Sequence, residues 1–199
     1  MIIHDMEQRS DEWFEVKRGK LGASHAQAIQ AQGKGLDTYI LELMAEYYSN
    51  GVTVSYTNEN MERGNELEAQ ARAIYELETG NEVQEVGFVE YDSYVGCSPD
   101  GMVGEEGLVE IKCPTNKVFF AYMLDGKIDT KYWWQMQMQL MITGRKWVDY
   151  VVYNPNYDKS IIIQRVEPDT EAFNKLFQGF EVARFSIDKI KKQLKEKKQ

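Results

Sequence analysis

Two short stretches, Cys97-Ser98-Pro99-Asp100-Gly101 and Leu108-Val109-Glu110-Ile111-Lys112-Cys113, decide how this chain is read. The second alternates as a strand. Successive strand side chains point to opposite faces, so Glu110 and Lys112 share one face while Val109, Ile111 and Cys113 share the other. A buried charge without its partner costs on the order of 3–5 kcal/mol, so two ionic residues on an otherwise apolar strand require partners. Asp100 ends the preceding strand, in a turn marked by Pro99 and Gly101, and from there it can approach Glu110. Two adjacent carboxylates repel unless a cation or a proton sits between them. Mg²⁺ suits such a pair, because it prefers carboxylate and carbonyl oxygens and keeps several waters. In that reading the metal polarises a phosphodiester oxygen and lowers the pKa of a bound water, while Lys112 steers the water and offsets developing charge. The same spacing also suits a structural Glu–Lys pair on a half-exposed strand, beside an ordinary Ser-Pro-Asp-Gly turn.

Around these stretches the hydrophobic period assigns the rest of the chain. Residues 10–18 read as a short helix with Ser10 as N-cap and Gly19 as the stop. Ser24 opens a second short helix that ends near Gly33. Tyr39, Ile40, Leu43, Met44 and Tyr47 recur at helical spacing over 37–49. Residues 60–79 form a helix with a stripe of Leu67, Ala71, Ile74 and Leu77, closed by Gly80. The period then changes to strands over 83–91 and 94–97 around Asp92-Ser93, followed by the strand at 108–113. Asp129-Thr130 caps a helix over 131–143 that Gly144 terminates, and 147–153 with 160–166 make a hairpin. Pro168 starts a long helix with Phe173, Leu176, Phe177, Phe180, Ile187, Ile190 and Leu194 on one side. The order predicts one α/β domain over residues 1–199, a central mixed sheet of about five strands flanked by helices.

Composition agrees with one core. The chain has 199 residues, 43% hydrophobic and 28% charged, which excludes a disordered tail or a fibre. No apolar run approaches the ~20 residues of a membrane span. The opening residues are acidic where a secretory signal is basic and then apolar, so a soluble, cytoplasmic protein is expected. Two Cys cannot build a disulfide framework or a four-thiolate metal site. The net charge of −9 is uneven: residues 184–199 hold seven Lys/Arg against Asp188 and Glu196, leaving a basic helix end on an acidic body. Cations suit a helix C-terminus, and the same tail could touch phosphates. An acidic body needs local basic positions or bound metal before it can hold DNA.

The pattern of Asp100 followed by Glu110-Ile111-Lys112 resembles the PD-(D/E)xK nuclease motif of the restriction-endonuclease-like fold. The strings CSPDG, LVEIKCP and GNELEAQAR, with Trp13, Gly19 and Ser24 at their early spacing, resemble the phage lambda-type alkaline exonucleases and the related YqaJ recombinases. The resemblance implies that Asp100, Glu110 and the Ile111 carbonyl hold metal, that Lys112 is the catalytic lysine, and that Glu68 adds a carboxylate. It implies Mg²⁺, replaceable by Mn²⁺, with two ions per site. It also implies a 5′-to-3′ exonuclease on ends of double-stranded DNA, a homotrimeric ring, and a single-strand annealing recombinase as partner, in bacterial cytoplasm if phage-encoded. An endonuclease of the same fold and a non-catalytic DNA-end-binding protein are the competing readings.

The family's 5′-phosphate anchor, an arginine two residues before the early glycine, is Lys17 here, with Arg18 beside it. The resemblance implies Lys17 as the anchor by position, with Ser24, Ser98 and Gln135 completing the pocket and Arg18 contacting DNA backbone or a neighbour. Both cations also suit a solvated helix end. Gln135 and Gln139 share one face of a nearly apolar helix, so Gln135 needs a partner, either a phosphate or a core backbone group. His4 and His25 receive no role, and Cys97 and Cys113 read as small buried fillers.

Overall fold

The computed structural model describes residues 1–49 and 59–197, so Lys198 of the basic tail lies outside the described residues. The first part runs β1 (Ile2–His4), α1 (Asp11–Lys17), β2 (Leu21–Gly22), α2 (Ala26–Ala31), α3 (Lys34–Tyr48) and α4 (Glu59–Thr79). Then come β3 (Val83–Gln84), β4 (Phe88–Glu90), β5 (Val95–Cys97), β6 (Gly101–Val103) and β7 (Gly107–Lys112). The chain continues through α5 (Asn116–Asp125), α6 (Thr130–Thr143), β8 (Trp147–Tyr153), β9 (Ile161–Val166) and α7 (Thr170–Glu196).

The larger sheet has five strands in the order β3-β6-β7-β8-β9. Only β7 and β8 are parallel within it, so the sheet is mixed, and α5 with α6 fills the crossover between them. A second sheet, β1-β4-β5-β2, has four strands and is not foreseen from the sequence. The single strand expected over 83–91 divides, with β3 in the larger sheet and β4 in the smaller. The break falls at Gly87, where a Cβ would meet the Met6 carbonyl at 2.4 Å. Gly101, read as part of a turn, instead begins β6.

The two faces of the larger sheet carry separate cores. Val109, Ile111, Val151 and Tyr153 pack under α4 through Ala71 and Tyr75. On the other face Leu108, Val148, Tyr150 and Val152 join the main core with Ile29, Leu36, Met136, Leu140, Leu176 and Phe180. Glu110 therefore looks toward α6. At Gly179 of α7 a Cβ would lie 2.2 Å from the Ile29 carbonyl, so α7 crosses α2 at close range.

Local signals hold at most helix ends. Ser10 Oγ accepts from Trp13 N at 3.2 Å, Asp129 accepts from Lys131 N at 2.9 Å, and Gly144 closes α6 at φ 67°. Four readings change. Ser24 lies inside a 3-10 turn, Ala23–His25, and caps no helix with its side chain. Asp169, not Pro168, caps α7, accepting from Ala172 N at 2.9 Å. Leu77 is 83% exposed, and Tyr75 takes the buried place on α4 because its hydroxyl finds a buried acceptor. Phe177 of the α7 stripe is likewise exposed. The helix α5 has no assignment in the sequence reading.

Candidate active site

The hairpin β6–β7 sets the first pair of side chains. Gly101 pairs with Val109 and Met102 with Leu108, so the next place along the ladder sets Asp100 opposite Glu110. A Cβ on Gly101 would lie 2.2 Å from Val83 Cγ1, so the residue after the aspartate has to be small. Asp100 Oδ2 accepts from Ile111 N at 2.6 Å. Glu110 is fully buried. Its Oε1 accepts from Lys112 Nζ at 2.5 Å and from Gln135 Nε2 at 2.5 Å, and its Oε2 accepts from Gln139 Nε2 at 2.7 Å. The shared face of α6 is thus aimed at one carboxylate, and the buried partner of Gln135 is Glu110 rather than backbone. Lys112 Nζ also lies 5.2 Å from the Tyr132 ring centre, an aromatic wall the sequence reading does not single out.

Electrostatics at this site oppose full ionisation. Burial, with repulsion from Glu110 and Glu68, pushes the Asp100 carboxyl up to about 8; Lys112 and the Ile111 N–H pull the other way. Burial alone would lower the Lys112 ammonium, but Glu110 and Asp100 outweigh it and hold the proton on firmly. The Cys97 thiol is pushed up by burial and by Glu110, so it is an inert filler as expected.

Asp100, Glu110 and the Ile111 carbonyl are hard oxygen donors, the set Mg²⁺ or Mn²⁺ takes. Burial first, and then the Glu110 and Glu68 charges, raise the Asp100 carboxyl, and a cation among these oxygens would offset that cost, so the residues fit the metal. Among the described residues no three His, Cys, Asp or Glu side chains already form a metal cage. Glu68 Oε1 is 3.3 Å from Arg72 Nη2 one helical turn along α4. Arg72 also pairs with Glu85. Glu68 and Asp100 nevertheless line one cleft of about 500 Å³, together with Arg9, Arg72 and Glu85.

The residues expected around a 5′ phosphate divide. Lys17 Nζ sits 4.4 Å from the Trp13 ring centre, and Trp13 Nε1 donates to Ser98 Oγ at 2.9 Å. Ser98 Oγ in turn donates to the Gly87 carbonyl at 2.7 Å. Ser24 Oγ lies 3.2 Å from His25 Nδ1, and the His25 ring stacks on Tyr39 at 3.8 Å. Burial and then the Lys17 charge lower the His25 pKa. Burial lowers Lys17 itself, against Glu46. Arg18 leaves this group: its Nη2 donates to the Ser49 carbonyl at 2.5 Å and the Glu46 carbonyl at 3.4 Å, at the end of α3. Trp13 and His25 stand among these side chains and have no site role in the sequence; Trp13 is the first member of the Trp13–Gly19–Ser24 spacing, and His25 follows its last. In the basic tail, Arg184 pairs with Asp92 and Glu181, and Lys191 lies over Tyr47 and Tyr94.

The mixed five-stranded sheet with carboxylates at the β6–β7 hairpin defines an α/β protein with a restriction-endonuclease-like core. Residues 12–146 match the YqaJ-like viral recombinase domain, and the chain belongs to that family. It is similar to an alkaline exonuclease, LHK-Exo, from Laribacter hongkongensis, with 33% identity and a TM-score of 0.87 over 94% of this chain and 97% of that one. The structure of LHK-Exo in complex with dAMP gives a TM-score of 0.88 at the same identity and coverage. A phage related exonuclease from Haemophilus somnus 129PT shares the fold at 17% identity, with a TM-score of 0.65 over 88% of this chain and 96% of that one. Comparison with the curated proteins found no match. No helix among the described residues is long and apolar enough to cross a membrane.

Proposed function

We propose that this chain is a Mg²⁺-dependent nuclease that digests one strand of linear duplex DNA from its 5′ end, leaving 3′ overhangs for recombination by single-strand annealing. The observation that carries the reading is Glu110, a fully buried carboxylate opposite Asp100 with the Lys112 ammonium 2.5 Å away. A structural ion pair would not need the half-buried Asp100 carboxylate beside it, since that pair of acids costs stability unless a cation joins them. The family, and the 33% identity to an alkaline exonuclease also solved with dAMP, support a nucleic-acid end as substrate.

Asp100, Glu110 and the Ile111 carbonyl would hold Mg²⁺, which when bound polarises phosphate and makes its water more acidic. Gln135 and Gln139 orient Glu110 by donating to both of its oxygens. Lys112 would steer the attacking water and offset developing charge. Glu68 adds a carboxylate from α4 once drawn away from Arg72. Lys17, Ser24 and Ser98, with Gln135 on the metal side, would receive the terminal phosphate, which supports the 5′-to-3′ direction. A homotrimeric ring around the DNA and a single-strand annealing recombinase as partner complete the proposal; a ring would keep a chain of net charge −9 on DNA by topology.

The test compares linear and covalently closed circular duplex, each with and without Mg²⁺. Mononucleotides should appear from the linear form only, and only with Mg²⁺. Cutting of closed circles would favour an endonuclease of the same fold.

A further inference from the structure

We infer that Arg9 binds a backbone phosphate of the DNA strand at the rim of the cleft lined by Glu68 and Asp100, an inference that rests on the nuclease reading above. The motivating observation is backbone geometry. Arg9 has φ 70°, and the only other non-glycine residue with positive φ among the described residues is Gln32, a helix C-cap. The left-handed region crowds a Cβ, and residues held there gather where the surroundings over-determine the backbone for function.

Both neighbours fix Arg9 in place. Gln8 Nε2 donates to the Val86 carbonyl at 2.8 Å and to the Pro99 carbonyl at 2.9 Å, tying the loop to the residue before Asp100. Ser10 caps α1 through Trp13 N, and its own N–H donates to the Glu7 carbonyl at 3.2 Å. Held from both sides, Arg9 lines the cleft with Glu68, Arg72 and Asp100.

Ion pairing does not account for this pose. Arg9 Nη2 is 4.0 Å from Glu68 Oε2, and its side chain is 55% exposed. Glu68 is already met by Arg72 at 3.3 Å, a side chain only 15% exposed. The Glu7–Ser10 turn and the Gln8 bonds hold the backbone, and the exposed pair at 4.0 Å leaves the Arg9 guanidinium facing solvent at the cleft. The cleft otherwise carries Asp5, Glu7, Glu68 and Glu85, while Arg72 is engaged with Glu68 and Glu85. A polyanion entering such a rim needs a solvent-facing cation, and the planar guanidinium fork matches phosphate oxygens.

Anisotropy of a labelled blunt-ended duplex, with Ca²⁺ replacing Mg²⁺ to suppress turnover, tests this over about 50–200 mM salt. Wild type, Arg9→Gly, Arg9→Asn and Arg9→Lys are compared. Gly and Asn accept φ 70°, so their thermal midpoints should equal or exceed that of wild type. Both should bind DNA about 5–10-fold more weakly near 0.1 M salt, with a log–log salt slope shallower by about 1; Arg9→Lys should keep the slope. A wild-type slope in Arg9→Gly and Arg9→Asn overturns the inference. A wild type that neither binds nor cleaves duplex ends overturns the nuclease reading itself, and this inference with it.

Discussion

Tyr75 on α4 donates its hydroxyl to Asp149 on β8 at 2.7 Å, and that bond fixes the helix carrying Glu68 to the back of the sheet carrying Glu110. Asp149 is buried and is also gripped by Arg165 through two contacts of 2.8 Å. Arg165 lies 3.7 Å over the Trp147 ring, so the acceptor cannot swing away freely. Tyr75 is two turns beyond Glu68, which makes it a positioning residue for the cleft. Tyr75→Phe should lower stability by about 1–2 kcal/mol in urea denaturation, because a buried carboxylate loses one of its donors. Unchanged stability would mean that Arg165 alone satisfies Asp149.

Lys17 and Arg18 should separate cleanly. Lys17 stands beside Trp13, which donates to Ser98, whereas Arg18 donates to carbonyls at the end of α3. Rates on duplexes with 5′-phosphate and 5′-hydroxyl ends should show a phosphate preference that Lys17→Ala erases. Arg18→Ala should keep that preference and lose about 1–2 kcal/mol of stability instead. Loss of the preference in Arg18→Ala alone would move the anchor by one residue, and no preference in wild type would remove the pocket.

The Asp100 carboxyl gives a pH signature in the metal-free protein. Its pKa is raised from 3.8 to about 8 by burial, then by Glu110 and Glu68 against Lys112. Between those values the folded protein binds more protons than the unfolded chain. The associated stability is therefore complete below about pH 4 and lost as pH rises through about 8. Thermal midpoints in EDTA should fall from about pH 5 to about pH 9, and Asp100→Asn should flatten the curve. Mg²⁺ competes with that proton, so it should stabilise more on the alkaline side. A metal-free midpoint independent of Asp100 would contradict this assignment.

Asp100, Glu110 and Lys112 are legible in the sequence because their geometry is local: a hairpin fixes the first pair and strand alternation fixes the second. Helices α1, α6 and α7 are legible for the same reason, through caps at Ser10 and Asp129 and a hydrophobic period. What is not legible depends on distant chain. Gly87 divides one apparent strand between two sheets because the Met6 carbonyl approaches it. Tyr75 rather than Leu77 is buried because Asp149 is waiting 74 positions away. Gln139 joins Gln135 on Glu110, and Arg18 turns from the pocket to α3, through partners that no local pattern names. The helix α5 escapes because its Val118, Phe120 and Leu124 are exposed, so its apolar residues do not trace one buried stripe.

The pairing of Lys112 with Glu110 at 2.5 Å makes one variant decisive. In Lys112→Ala, Glu110 keeps both glutamine donors, so fold and metal ligands should survive while the cation near the attacking water is gone. Mg²⁺ affinity and single-turnover cleavage of a linear duplex, measured on the same Lys112→Ala preparation, test the site most directly. The expected result is metal binding comparable to wild type with cleavage at least ~10²-fold slower. Cleavage at a near-normal rate would contradict the assignment of Lys112, and loss of Mg²⁺ binding would contradict its separation from the metal ligands.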